Sequence, residues 1–434
     1  MTMPIAPIPS PGATPLFGLA RKAGSGWLQA LARRLVLGRL QRLIVGRLTI
    51  IDGDERHEFG CEGGLHALIR VHDARFYGDI AFGGSVGAGE AYMLGYWTAD
   101  SLTDLIRLMV LNQAVMDTLE GGLAVLARPL LKLLHRANRN TRDGSRRNIA
   151  AHYDLGNDMF QLFLDPSMMY SSAVFEQPGM TLEQASIAKL DRICRKLALH
   201  AGDHVVEIGT GWGGFALHAA RHYGCRVTTT TISRAQYELA VARVAAAGLS
   251  DKITVLLKDY RELEGKFDKL VSIEMIEAVG HQYYEEYFRT CARLLEPDGM
   301  ALIQAITIAD QRYEAARRSV DFIQRYIFPG SCIPSVTALL ASITRASDLR
   351  LFHLEDIGPH YARTLAAWRD AFLHNLDQVR ALGYPEEFIR MWEFYLCYCE
   401  GGFEERVLGD AQLLLVKPGN RRSAIVPTLS GTTD

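Results

Sequence analysis

The chain has 434 residues, 48% hydrophobic and 22% charged, with a formal net charge of −2 and a mean hydropathy near zero. That length suits two domains with tails better than one core, and the balanced charge excludes an overall basic field for nucleic acid. No apolar stretch reaches the roughly 18 residues a membrane-spanning helix needs, so a lipid substrate would have to be reached from the membrane surface.

Residues 1–20 carry five prolines and neither a charged leading segment nor a sustained apolar run; they read as a disordered tail rather than a signal peptide. From Arg21 to Arg47 there are seven Lys or Arg and no acidic residue. Within that run, residues 27–45 have the pattern of a basic amphipathic helix (Leu28, Leu31, Leu35, Leu40, Leu43, Ile44), suited either to an anionic membrane surface or to a solvated face. Short strands and turns follow around Arg47–Ile51, Asp52-Gly53 and Leu68–Val71, then two apolar helices at about 102–118 and 122–137. A second basic run spans Lys132–Arg147, and its polar part, Asn138–Arg147, reads as a linker and domain boundary.

From about 148 the pattern alternates between helix and strand. A helical stretch at 148–164 could act as a lid over a sheet. The expected strands are His204–Ile208, Arg226–Ile232, Ile253–Leu257, Asp268–Ile273 and Met300–Ile306, with two later ones near Leu351–Leu354 and Gln412–Val416. Alternation of this kind specifies an α/β fold with a mostly parallel sheet covered on both faces. Long helical insertions at about 310–348 and 362–400 are where substrate-specific walls are usually built. The seven cysteines include no CxxC pair, which argues against a disulfide framework or a structural zinc site and fits a reducing cytoplasm. No metal site is expected.

The strongest motif is Glu207-Ile208-Gly209-Thr210-Gly211-Trp212-Gly213-Gly214, between a strand and a helix. Its glycines permit a tight turn and close approach to a ligand. The loop reads E-x-G-x-G-x-G with a carboxylate on the strand just before it, and the second strand ends in Thr230-Thr231-Ile232-Ser233 without the acid that would hold an NAD ribose. These details favour S-adenosylmethionine over a dinucleotide. Asp259-Tyr260 follows the third strand, where the acid could accept from an adenine amino group and the ring pack on the base. An Asp at a strand end is also a common turn former.

Read together, His152-Tyr153-Asp154-Leu155-Gly156-Asn157-Asp158, Tyr170-Ser171-Ser172-Ala173, the glycine loop, Glu277-Ala278-Val279-Gly280, Tyr326-Ile327-Phe328-Pro329-Gly330 and Pro359-His360-Tyr361 resemble the cyclopropane fatty acid synthase family, over about 148–416. The resemblance implies a class I S-adenosylmethionine methyltransferase, with a Rossmann-like, seven-stranded, mostly parallel sheet. It implies this division: a tail at 1–20, an N-terminal lipid-binding and dimerisation domain at 21–140, a methyltransferase domain at 148–418, and a tail at 419–434. It places Tyr153, Tyr170, Ser171, Gly209, Gly211, Trp212, Gly213, Thr231, Ile232 and Gln236 at the cofactor, with Glu207, Asp259 and Tyr260.

The family's reaction adds a methylene from S-adenosylmethionine across a cis double bond of a membrane phospholipid's acyl chain. A bound bicarbonate serves as base, held by a Cys, a Glu, a His, a Tyr and a backbone group beside an Ile. Those positions are Ser172, Glu277, Gln304, Tyr361 and Ile306 here, so two of the four side-chain ligands differ. Glu274 adds a carboxylate where the family often has Gly. Three outcomes stay open: a cyclopropane, a methyl-branched olefinic chain if Glu277 or Glu274 takes the proton, or methylation of a soluble metabolite. The expected setting is cytoplasmic, peripheral at the inner face of the membrane, with a homodimer implied by resemblance alone.

Overall fold

The computed structural model describes residues 26–121 and 156–425. The expected N-terminal tail, the helix at 122–137, the linker with the second basic run, and Tyr153 lie outside the described residues.

The N-terminal part begins with helix α1 (Gly26–Leu40), shorter than the expected 27–45. Strands β1 (Arg47–Asp52), β2 (Glu55–Gly60) and β3 (His66–Val71) follow, then helix α2 (Arg75–Met93), strand β4 (Trp97–Ala99), and helices α3 (Leu102–Leu111) and α4 (Gln113–Gly121). The four strands form one sheet in the order β2-β1-β3-β4. The single helix expected at 102–118 is broken at Asn112. Its buried side chain accepts from the Ile44 and Val45 amides and donates to the Val45 and Leu108 carbonyls, so it serves the preceding turn rather than a continuing helix.

The second part opens with α5 (Asn157–Gln161), the described portion of the stretch expected at 148–164, and α6 (Leu182–Leu197). Helix α6 starts at a reciprocal Thr181–Gln184 capping box. The remaining elements are β5 (His204–Ile208), α7 (Gly214–His222), β6 (Arg226–Thr231), α8 (Arg234–Ala246), β7 (Ile253–Leu257), β8 (Phe267–Ile273), α9 (Tyr284–Leu294), β9 (Leu295–Ile308), α10 (Asp310–Ala316), α11 (Val336–Ala346), β10 (Arg350–Asp356), α12 (Gly358–His374), α13 (Leu376–Ala381), α14 (Glu386–Glu404) and β11 (Leu408–Val416). The insertion at 310–348 is not one helical run. Pro329 and Pro334 lie between α10 and α11, where a proline lacks the amide that a helix interior requires.

The seven strands β10-β11-β9-β8-β5-β6-β7 form one sheet. Neighbours from β9 to β7 run parallel, whereas β11 is antiparallel to both β9 and β10. The chain therefore enters the sheet at the inner strand β5, fills one side with β6 and β7, and returns to fill the other from β8. Strand order reverses beside β5, and in open α/β sheets ligands bind off the carboxyl ends of the strands at such a point.

The two parts share one apolar core. Residues of α1, β1, β3, α2 and α3 belong to the same buried cluster as residues of α12 and α14. Polar links cross the seam: Arg325 bonds Glu90 at 3.0 Å, Tyr92 donates to Glu393 at 2.9 Å and Arg107 pairs with Glu405 at 2.7 Å. At Gly89 a β-carbon would lie 2.4 Å from the Phe322 ring and 3.1 Å from Phe394, so only glycine lets α2 seat this closely. Gly89→Ala is expected to destabilise the protein by roughly 1–3 kcal/mol through overpacking, read as a lower midpoint in thermal or urea unfolding.

Candidate active site

Strand β5 ends at Ile208, and the chain turns through Gly209–Gly213 into α7. Gly209, Gly211 and Gly213 have φ of 102°, 51° and 86°, values that side-chain-bearing residues rarely adopt. At Gly211 a β-carbon would meet nothing within 4 Å, so bare backbone faces open space. Just before the turn, Glu207 is buried and one of its carboxylate oxygens has no hydrogen-bond partner. Burial pushes its pKa up to about 8. A buried, unpaired acceptor beside an open glycine turn suits a ligand that brings hydroxyl donors, as a ribose does.

Around this turn, Trp212 donates its indole N–H to Asn157 at 2.7 Å and lies 4.9 Å from the Phe160 ring. Thr231 donates to the Gln236 side chain at 2.8 Å, and Ser233 caps α8. Tyr170 and Tyr395 share a hydroxyl hydrogen bond of 2.8 Å. The buried Lys189 donates to Ser171 at 2.7 Å, and burial lowers its pKa to about 8.

One cavity of about 1150 Å³ begins here. Among the expected cofactor residues it is lined by Tyr170, Ser171, Glu207, Gly209, Gly211, Trp212, Thr231, Ile232, Gln236, Asp259 and Tyr260. Gly213 does not line it. Asp259 also caps the turn after β7: its two oxygens accept from the Arg261 guanidinium at 2.9 and 2.6 Å, and one accepts from the Arg261 amide. The turn-forming reading of that residue therefore holds alongside its place at the cavity.

The deeper wall carries the carboxyl groups of Glu274 and Glu277, with Asp410 behind it against Gln304. Glu274, just past β8, has a φ of 48°, a left-handed conformation that costs a non-glycine residue roughly 1–2 kcal/mol. That backbone aims its side chain into a ring of donors. One oxygen accepts from the Ser172 amide at 2.8 Å and from the Gln304 amide group at 2.7 Å; the other accepts from the Tyr361 hydroxyl at 2.7 Å. Glu277 accepts from the Ile306 amide at 2.5 Å, and its second oxygen is buried without a partner. Burial, reinforced by the nearby Glu274, pushes the Glu277 pKa up to about 8. Burial likewise holds Asp410, on β11, well above the ordinary carboxyl range, again reinforced by Glu274.

A chain of hydrogen bonds sets the direction of the Gln304 side chain. Lys196 Nζ donates to Gln412 Oε1 at 2.7 Å, and Gln412 Nε2 donates to Gln304 Oε1 at 3.0 Å. Lysine only donates, so it dictates which end of each amide points onward. The Gln304 NH₂ group is thereby turned to Glu274 and, at 3.0 Å, to Asp410. Gln304 and Gln412 sit opposite each other in the β9–β11 register, as Ile306 and Asp410 do.

Comparison with known proteins settles the family. The profile described as mycolic acid cyclopropane synthetase matches residues 140–413. The chain belongs to this family. It is similar to the tuberculostearic acid methyltransferase UfaA1 of Mycobacterium tuberculosis, 40% identical over 344 residues, covering 77% of this chain and 80% of that protein. It is also similar to the cyclopropane-fatty-acyl-phospholipid synthase of Escherichia coli K12, 37% identical over 354 residues, covering 81% and 87% of the two chains. Among solved structures, the mycolic acid cyclopropane synthase CmaA1 complexed with SAH and CTAB matches with a TM-score of 0.59 and 32% identity, over 63% of this chain and 98% of that one. The chain is thus an S-adenosylmethionine-dependent methyltransferase of the cyclopropane synthase family, with the class I fold.

In this family member the expected bicarbonate cradle is already filled by the protein's own groups. The Ser172 hydroxyl turns away to the Ala173 carbonyl at 3.1 Å, and only its amide faces the site. Gln304 and Tyr361 donate to Glu274, and the Ile306 amide donates to Glu277. Ser172 and Gln304 stand behind the cavity wall, whereas Tyr361, Ile306, Glu274 and Glu277 line it. A further anion would find these donors engaged and three carboxyl groups beside it, so the residues present do not fit bicarbonate. Sequence reading missed Asp410 and Gln412. Their signal was two polar residues two apart, hence on one face, in the otherwise apolar strand β11.

The raised Glu277 pKa makes stability depend on pH. The unfolded chain loses this proton near the ordinary glutamate value of 4.5, while the folded state keeps it to about 8. The stabilising contribution is complete below the lower value and is lost progressively as pH rises through the upper one. Glu277→Gln, which cannot ionise, should match the wild-type melting temperature most closely at pH near 5 and exceed it by several degrees near pH 8. Scanning calorimetry at the two pH values checks this.

Proposed function

We propose that this enzyme transfers a methyl group from S-adenosylmethionine to the cis double bond of an unsaturated phospholipid acyl chain, and that Glu274 accepts the departing proton, leaving a methyl-branched olefinic chain. The observation that carries the reading is the Glu274 carboxylate, held by Ser172, Gln304 and Tyr361 at the cavity wall. Its left-handed backbone is a cost that glycine would avoid, which argues that the side chain is needed there. The likeness to a protein named for tuberculostearic acid, a methyltransferase, supports the same reading.

The cofactor supplies an electrophilic methyl on its sulfonium. Glu207 is placed to accept from the ribose hydroxyls, and Gly209 and Gly211 let the backbone close on the ligand. Tyr170, Ser171, Trp212, Thr231, Ile232, Gln236, Asp259 and Tyr260 form the rest of that wall. An isolated alkene is a weak nucleophile, so these residues contribute mainly by holding it in line with the methyl. The alkene's π electrons form the new carbon–carbon bond, the sulfur–carbon bond breaks, and the other alkene carbon becomes cationic. The Glu274 carboxylate and the ring faces of Tyr361 and Phe403, 4.5 Å apart, lie at the cavity to stabilise that charge. Glu274 then takes a proton from a carbon bonded to the cationic centre, and the C–H electrons make the new double bond. Glu277 and Asp410, held neutral by burial, leave Glu274 without a competing anion.

Two features of α1 support work at a membrane surface. Trp27 and Leu31 project into solvent, 66% and 44% exposed, and the exposed Arg34 lies on the same helix. Aromatic and apolar groups beside cations suit an anionic lipid interface.

Mass spectrometry of fatty acids from a host lacking its own synthase tests the reading. The expected product gains one methylene and takes up hydrogen under mild hydrogenation; a product that resists hydrogenation is a cyclopropane and sinks the assignment of Glu274. Glu274→Gln should lower turnover by roughly 10²- to 10⁴-fold with cofactor affinity little changed by calorimetry. Glu274→Gly frees the donors, and added formate should restore part of its activity.

A further inference from the structure

The cavity does not stop at the methyltransferase domain. It continues into the N-terminal part, where its wall is made by Leu48 and Ile50 of β1, Ile69 of β3, Phe76 of α2, and Leu105 and Met109 of α3, among others. Leu48 and Ile50 are fully buried, and Phe76 and Ile69 are 1% and 6% exposed, so core residues of that domain form this part of the wall. Helix α2 is kinked at Gly84 (φ 58°, ψ −137°), and Gly84 and Ser85 both line the cavity at the kink. Among the described residues, none of the N-terminal ones on the wall is charged. The charged ones among the described lining residues, Lys258, Arg261, Arg312, Arg317 and Arg318 together with the carboxylates, all belong to the methyltransferase domain.

That distribution gives the cavity two chemically different ends. An ionised headgroup could not be desolvated in the uncharged wing without a large penalty, whereas a hydrocarbon tail gains about 0.8 kcal/mol per buried methylene. The family profile starts at residue 140, and the structure of CmaA1 is matched over 98% of its length by 63% of this chain. The wing built from residues 36–116 is therefore an addition to the part shared with that synthase.

We infer that the uncharged wing is a binding site for the methyl-terminal half of the substrate acyl chain, so that the N-terminal domain measures the carbons beyond the double bond. This rests on the acyl-chain reading above. The carbon that receives the methyl is then set by how far the tail reaches into the wing, with the alkene opposite Glu274 and Tyr361. Narrowing the wing should penalise chains with longer methyl-side segments whatever their carboxyl-side length.

The test uses the full-length enzyme with phosphatidylglycerol vesicles carrying palmitoleoyl, oleoyl or cis-vaccenoyl chains. Palmitoleoyl and oleoyl share the carboxyl-side length; palmitoleoyl and cis-vaccenoyl share the methyl-side length. Ile69→Trp on β3 and Met109→Trp on α3 narrow the wing from two different elements, and S-adenosylmethionine binding by calorimetry reports that each variant is folded. If one fails to fold, the other decides.

The expected result is that methylation of oleoyl chains falls by at least about tenfold relative to both palmitoleoyl and cis-vaccenoyl. Equal losses on all three chains, no loss on any, or a loss that groups palmitoleoyl with oleoyl would overturn the inference. Methylation of none of the three by the wild-type enzyme would instead overturn the acyl-chain function, and this inference with it.

Discussion

The site is organised by one carboxylate that the protein supplies and solvates itself. Glu274 is gripped by a backbone amide, a side-chain amide and a phenol, each from a different element. Hydrogen bonds to a charged acceptor contribute roughly 1.5–3 kcal/mol apiece, enough together to offset its strained backbone. The surrounding design follows. Glu277 and Asp410 can share the pocket because burial and the neighbouring negative charge keep them protonated. Gln304 can serve only if its NH₂ faces inward, and the Lys196–Gln412 relay enforces that.

The substitutions that set this protein apart from its family's pattern thereby act as a group. A histidine in place of Gln304 could shuttle a proton; an amide cannot, but it is a dependable donor to a fixed carboxylate. Losing the cysteine at Ser172 matters less than it first seems from sequence, because the backbone amide at that position faces the site and the side chain does not.

The N-terminal domain is likewise part of the site's construction. Its core is continuous with α12 and α14, and glycine at 89 permits a seam too tight for any side chain. The cavity runs through that seam, so residues of both parts line one space.

Much of the catalytic half was legible from the chain. Strand and helix periodicity located the alternating elements, the glycine turn after β5 marked one wall of the cavity, and Glu274 stood out as an extra acid. Local pattern suffices there because a parallel sheet buries whole apolar strands and a glycine turn needs residues tolerant of positive φ. The helix break at Asn112 was not legible, since it depends on a turn almost seventy residues earlier in the chain. The partner of each carboxyl group, the outward turn of the Ser172 hydroxyl, the relay through Gln412 and the cavity's path into the N-terminal core all arise from segments far apart in sequence. Residue types and spacings determined the fold class, the glycine turn and which acids were present. Only tertiary packing decided which acid is ringed by donors and which are buried without them, because hydrogen-bond direction and burial are set by neighbours that the folded chain alone brings together.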